Sequence, residues 1–202
     1  MHYLEKLLLN LGELSLKVGY PKISRYFYQN SNMKILIGSH GTGKTTLLKE
    51  VSTRFPDYYV TDGFSRPVLK IGRMLELSNN EKQYAINELS AWAYENYLKH
   101  KNVISTRSLV DCIIYSQILT PDVDIENLIT LFEETKDQVE YFFYIPIEFT
   151  FEQGDPDRLS HELQVKIDDI IQKFIKKHIP EEKVITLTGT VEKRLEQISK
   201  YL

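Results

Sequence analysis

Residues 38–45 read Gly38-Ser39-His40-Gly41-Thr42-Gly43-Lys44-Thr45, a complete G-x-x-x-x-G-K-[ST] phosphate-binding loop. Its flanks constrain the fold more than any other feature of the chain. Before it, Met33-Lys34-Ile35-Leu36-Ile37 is short and apolar enough for a buried strand; after it, Thr46-Leu47-Leu48-Lys49-Glu50-Val51 opens a helix. Glycines at 38, 41 and 43 let the backbone wrap an anion, so that successive N–H groups and the positive helix end face a β-phosphate. Lys44 is placed to bridge β- and γ-phosphates, and the Thr45 hydroxyl to ligate Mg²⁺. The expected nucleotide set is therefore Gly38, Ser39, His40, Gly41, Thr42, Gly43, Lys44, Thr45 and Thr46. The competing reading is a glycine-rich turn that only joins a strand to a helix.

The remaining pattern alternates. Strands are expected at 57–61, 102–105, 140–145 and 183–187, with helices at 67–77, 80–100, 109–119 and 124–136, a long helix ending near His178, and a terminal helix from Val191. Five strands separated by helices imply an α/β fold with a five-stranded parallel sheet covered on both faces. Ligands in such sheets lie beyond the carboxyl ends of the strands, so the loops after Ile37, Thr61, Ser105, Ile145 and Leu187 should line one site. Leu4, Leu7, Leu8, Leu11 and Leu14 follow helical spacing and predict an amphipathic helix over 3–17, in an extension (1–32) ahead of the main domain (33–202). Packing on the core is its first reading; binding a partner or a membrane surface is the second.

The whole chain, 202 residues with net charge −3, fits one such domain and offers no global attraction to a nucleic-acid duplex. Cys112 is the single cysteine, which points to a reducing cytoplasm. Its apolar neighbours suggest a buried, inert thiol. Charges interrupt the leucine-rich N-terminus well short of a membrane span, and no signal-peptide pattern is present.

Several polar residues fall at the expected active rim. Asp62, after the second strand, can act as a base, hold Mg²⁺-bound water, or merely make the turn before Gly63. Arg66 follows it. After the third strand, Arg107 can grip a phosphate, with Asp111 orienting it or an acceptor hydroxyl, or the two can simply pair; Ser108 is a natural helix cap. Residues 152–158 resemble a closing loop carrying Arg158 towards transferring phosphate, although Asp157 as a helix cap with Arg158 in a solvated first turn is the rival view. Gln83, Asn87 and Tyr94 share a helical stripe suited to a base pocket. Trp92 reads as core. Thr188-Gly189-Thr190 is positioned to approach an adenine.

The order of phosphate loop, Asp62-x-x-x-Arg66, Arg107-x-x-x-Asp111-x-x-x-Tyr115 and Gly154-Asp155-x-Asp157-Arg158 resembles P-loop kinases related to the nicotinamide-riboside kinase domain of bacterial NAD regulators. That group is similar in turn to thymidylate and deoxynucleoside kinases. The resemblance spans about 33–200 and implies ATP and Mg²⁺ as cofactors. It departs from the pattern at Thr106, where relatives commonly carry an acid before the arginine; this shifts any base towards Asp62. Lys44, Asp62, Arg107 and Arg158 form the expected catalytic set, Thr45 and Asp62 the metal set, and Asp62, Arg66, Gln83, Arg107 and Asp111 the acceptor set. Three arginines favour a (deoxy)nucleoside monophosphate acceptor over an uncharged riboside. A nicotinamide-riboside-type kinase, a polynucleotide 5′-end kinase and a nucleotide-dependent switch are the alternatives. The expected partner is a small nucleotide or nucleoside, with a homodimer as the one protein assembly considered.

Overall fold

The computed structural model describes residues 32–63, 65–97, 100–106, 108–149 and 160–202. The expected 3–17 helix, Arg107 and the whole 152–158 loop with Arg158 lie outside these residues. Five strands, β1 (Asn32–Ile37), β2 (Tyr59–Thr61), β3 (Asn102–Ser105), β4 (Val139–Tyr144) and β5 (Val184–Thr186), form one sheet in the order β2-β3-β1-β4-β5. All pairings are parallel. Seven α-helices accompany them: α1 (Lys44–Arg54), α2 (Ser65–Met74), α3 (Asn79–Tyr97), α4 (Leu109–Leu119), α5 (Glu126–Thr135), α6 (His161–His178) and α7 (Val191–Ile198).

Because successive strand residues point to opposite faces, β1 feeds two cores. Met33, Ile35 and Ile37 pack with residues of α3, α4, α5 and α6, while Leu36 packs with α1 and α7 on the other face. Lys34 shares that second face and is buried, its ammonium 2.7 Å from Glu140 and 5.3 Å from the centre of the Tyr58 ring. The central strand is thus covered on both sides, and its carboxyl end is where the phosphate loop must emerge. The ladder continues into the loops: Ile145 N–H donates to Ile37 O and Leu187 N–H to Tyr144 O, each at 2.8 Å.

Three local expectations change. The long helix begins at His161 and is capped by Ser160, whose hydroxyl accepts from Leu163 N–H, the role the rival reading gave to Asp157. Trp92 is 55% exposed, whereas Ala91 and Ala93 beside it are buried. Small residues face the closely approaching helices, and the indole occupies the solvent edge of α3. Tyr94 belongs to the core, not to a base pocket: its hydroxyl accepts from Thr135 Oγ1 at 3.4 Å, and burial pushes its pKa up to about 12.

Helix α2 carries Pro67 in its first turn, where the missing N–H costs nothing. It ends in a Schellman-type turn in which Leu77 N–H donates to Gly72 O and Glu76 N–H to Arg73 O. Glu76 sits there at φ 55°, a left-handed conformation that disfavours any side chain. We expect Glu76→Gly to raise stability by about 0.5–1 kcal/mol, strain relief outweighing the entropy of the unfolded glycine, as measured by urea denaturation.

Candidate active site

The phosphate loop owes its shape to close backbone approach. A Cβ at Gly38 would lie 2.5 Å from Ile145 O. Gly43 takes a left-handed φ of 91° as the residue preceding α1, and no side chain caps that helix. The first-turn amides of α1 are therefore not taken by a cap, which is the arrangement an anion needs. The Lys44 ammonium donates to Gly38 O at 2.5 Å and Ser39 O at 2.7 Å, lying across the curl of the loop.

The loop is held from three directions. From α4, Tyr115 OH accepts from His40 N–H at 3.1 Å. From α6, Gln164 Nε2 donates to His40 O at 2.6 Å, while Gln164 Oε1 meets His161 Nδ1 at 2.8 Å. From α7, the buried Arg194 donates to Thr42 O and to Glu148 Oε2, each at 2.6 Å. Glu148 also accepts from Gly189 N–H at 2.7 Å. The geometry of the loop thus depends on residues distant in sequence. Tyr115 had a motif to mark it; Gln164, Glu148 and Arg194 read as ordinary polar residues, and no local pattern reveals them.

A cavity of about 920 Å³ opens beside the loop, lined by His40–Thr46, by Asp62 and Gly63 after β2, and by residues of α2, α3 and α4. Asp62, Arg66, Gln83 and Asp111 all border it, so these four expected acceptor residues share one space. Asp62 stands at the junction. Its Oδ1 accepts from the Thr106 hydroxyl and from Gly63 N–H, and its Oδ2 from the Thr45 hydroxyl at 3.4 Å. Thr106, at the position where an acid was missing from the pattern, serves to orient Asp62. The Asp62–Gly63 contact is the turn role expected of this pair.

Asp111 is buried and forms a capping box with Ser108, whose N–H and hydroxyl both donate to its Oδ2. Gln83 Nε2 donates to Asn87 Oδ1, and Asn87 Nδ2 to Ser116 Oγ, each at 2.9 Å. Of this chain Gln83 borders the cavity, and Asn87 behind it fixes its amide. Cys112 is buried as expected, yet it too borders the cavity, as does Phe149. Thr188–Thr190 does not.

The residues present fit a nucleoside triphosphate and Mg²⁺. The glycine curl and the uncapped α1 suit phosphate; Thr45 and Asp62 form an oxygen pair of the kind Mg²⁺ takes alongside water and phosphate oxygens. No cluster of three or more His, Cys, Asp or Glu capable of caging a metal exists among the described residues. Nor, among them, is any helix long and apolar enough to cross a membrane.

Known proteins agree with this geometry. A family model described as an AAA domain matches residues 34–194, while no curated protein sequence matches the chain. NadR solved in complex with NR superposes with a TM-score of 0.60 at 12% identity, over 85% of this chain and 51% of that one. Deoxyadenosine kinase from M. mycoides gives 0.61 at 14%, over 83% and 97%. Thymidylate kinase from Candida albicans gives 0.58 at 12%, over 85% and 90%. At such identities the likeness establishes the fold, a P-loop kinase-like one related to nucleoside and nucleotide kinases. The chain spans about half the length of NadR.

The clamp at Arg194 has a pH signature. Its hydrogen bond holds the Glu148 carboxyl below the ordinary 4.5, with the Gly189 N–H adding to the effect. A depressed carboxyl stabilises the fold above its unfolded pKa and loses that contribution as pH falls. We expect thermal stability to decline below pH 4.5 and Glu148→Gln to remove part of that decline. Arg194→Met should cost about 3 kcal/mol or more, since it leaves Thr42 O without its donor and Glu148 without its cation, with Gly189 N–H its remaining donor; both are read from melting curves across pH.

Proposed function

The chain belongs to the AAA-domain family, and from that premise we propose that it is an ATP- and Mg²⁺-dependent phosphotransferase whose acceptor is a (deoxy)nucleoside monophosphate. The observation that carries this reading is the continuity of the cavity. One space runs from the phosphate loop past Asp62 to a wall where Arg66 and Lys82 both stand. Two cations beside the acceptor position suit a phosphate more than an uncharged riboside.

In this reading the backbone amides before and within the first turn of α1 and Lys44 hold the donor phosphates. Mg²⁺, held by Thr45 with Asp62 behind it, would neutralise charge on the phosphate oxygens. An acceptor oxygen bonds to the γ-phosphorus as the bond to the β–γ bridging oxygen breaks, and ADP leaves with that electron pair. A monophosphate acceptor, with its second pKa near 6, needs little proton removal, so Asp62 then acts chiefly by position. With a hydroxyl acceptor, as in a nicotinamide-riboside-type kinase, Asp62 would take the proton. That second reading draws on the NR complex of NadR and on the neutral amide of Gln83, which borders the cavity and is held by Asn87. The sets Arg107 and Arg158 for phosphate, Asp111 for the acceptor, and a separate 1–32 extension remain part of the proposal. A cytoplasmic location belongs to it as well, since the expected substrates are soluble.

ATP consumption measured against nucleosides, nucleoside monophosphates and nicotinamide riboside tests the acceptor. We expect turnover with monophosphates; turnover with ribosides alone would reassign it. Lys44→Ala should cut transfer on the order of 10² or more through loss of a preorganised cation. Asp62→Asn should lower turnover about ten-fold or more with little change in ATP affinity.

A further inference from the structure

The sheet order divides the site. Asp62, Thr106 and Asp111 come from the β2–β3 side of β1, and Arg66, Lys82 and Gln83 follow from the helices on that side. On the opposite, β4–β5 side the cavity meets, among the described residues, one aromatic, Phe149, five residues beyond the end of β4. Phe149 is 51% exposed. The Arg194 guanidinium lies 5.4 Å from the ring centre. That guanidinium is itself fixed by Thr42 O in the phosphate loop and by Glu148, the neighbour of Phe149. The ring is thereby registered against the phosphate cradle, with a cation beside it and half its surface open.

We propose that Phe149 is the stacking platform for the base of the donor nucleotide, a purine nucleoside triphosphate. The proposal rests on the phosphate loop binding the donor's phosphates, as argued above. A base extending from that loop has two directions. The β2–β3 direction is occupied by the acceptor lobe with its amide chain and cations. The β4–β5 direction offers an aromatic face, and aromatic–base stacking tolerates any base while favouring the larger purine surface. Two nearby amides supply little base-specific hydrogen bonding, because Gly189 N–H is committed to Glu148 and Thr188 N–H to Gln197 Oε1. Stacking, not edge recognition, then carries the donor-base affinity, and ATP and GTP should bind comparably.

Calorimetric titration of the full chain with ATP, GTP and inorganic tripolyphosphate tests this. Phe149→Ala should weaken both nucleotides about ten-fold and leave tripolyphosphate within about two-fold, whereas Phe149→Trp should restore nucleotide binding. Equal weakening of nucleotides and tripolyphosphate in Phe149→Ala would show that the ring only supports the loop, and unchanged nucleotide binding would show that the base lies elsewhere. Either result overturns the proposal. Wild-type protein that binds neither tripolyphosphate nor nucleotide would overturn the phosphate-loop reading beneath it as well. Tripolyphosphate binding that is lost in Lys44→Ala and kept in Phe149→Ala supports both.

Discussion

The architecture depends on keeping the backbone of residues 38–43 curled, with the carbonyls of Gly38, Ser39, His40 and Thr42 each paired. A curl of this kind gathers like-oriented peptide dipoles, which repel one another unless the carbonyls are paired. The protein pairs them. Lys44 takes the carbonyls of Gly38 and Ser39, Gln164 that of His40, and Arg194 that of Thr42. Each donor comes from a different helix, so packing of α1, α6 and α7 on the sheet is converted into geometry at the loop. Gly38 can exist there only because it lacks a Cβ against Ile145 O.

The same logic extends to Asp62. An isolated carboxylate at a strand end would rotate freely; here the Thr106 hydroxyl and Gly63 N–H fix one oxygen and leave the other toward Thr45. Since β2 and β3 are adjacent and in register, with Thr61 opposite Ser105, the residues following each strand are brought together. A threonine in place of an acid after β3 therefore gives Asp62 a hydroxyl donor at the junction instead of a second negative charge.

What the sequence made legible was what depends on short-range requirements. The glycine spacing with Lys44 and Thr45 demanded a strand before and a helix after, and alternating apolar runs gave five strands and their helices in the right order. Strand order was not legible, because it depends on which crossovers the helices allow. Trp92 was misread since hydrophobicity was weighed above phase: α3 buries Ala91 and Ala93 and turns the indole outward. The sequence offered Asp157 as a rival cap for α6, and Ser160, equally good by type, fills that place. Arg194, Glu148 and Gln164 were invisible as site residues, since each acts on a backbone carbonyl or a partner some 40 to 150 positions away, and nothing local marks a charged helical residue as buried.

The central claim is that this loop and Asp62 serve transfer of phosphate to a second molecule, not hydrolysis or mere binding. Phosphorus NMR of the wild-type protein with Mg²⁺, ATP and a mixture of nucleoside monophosphates follows every phosphate at once. The account predicts that ADP and a nucleoside diphosphate appear in equal amounts with no matching rise of inorganic phosphate. ATP converted to ADP and free phosphate alone, or ATP bound and left unchanged under all acceptors, would contradict it.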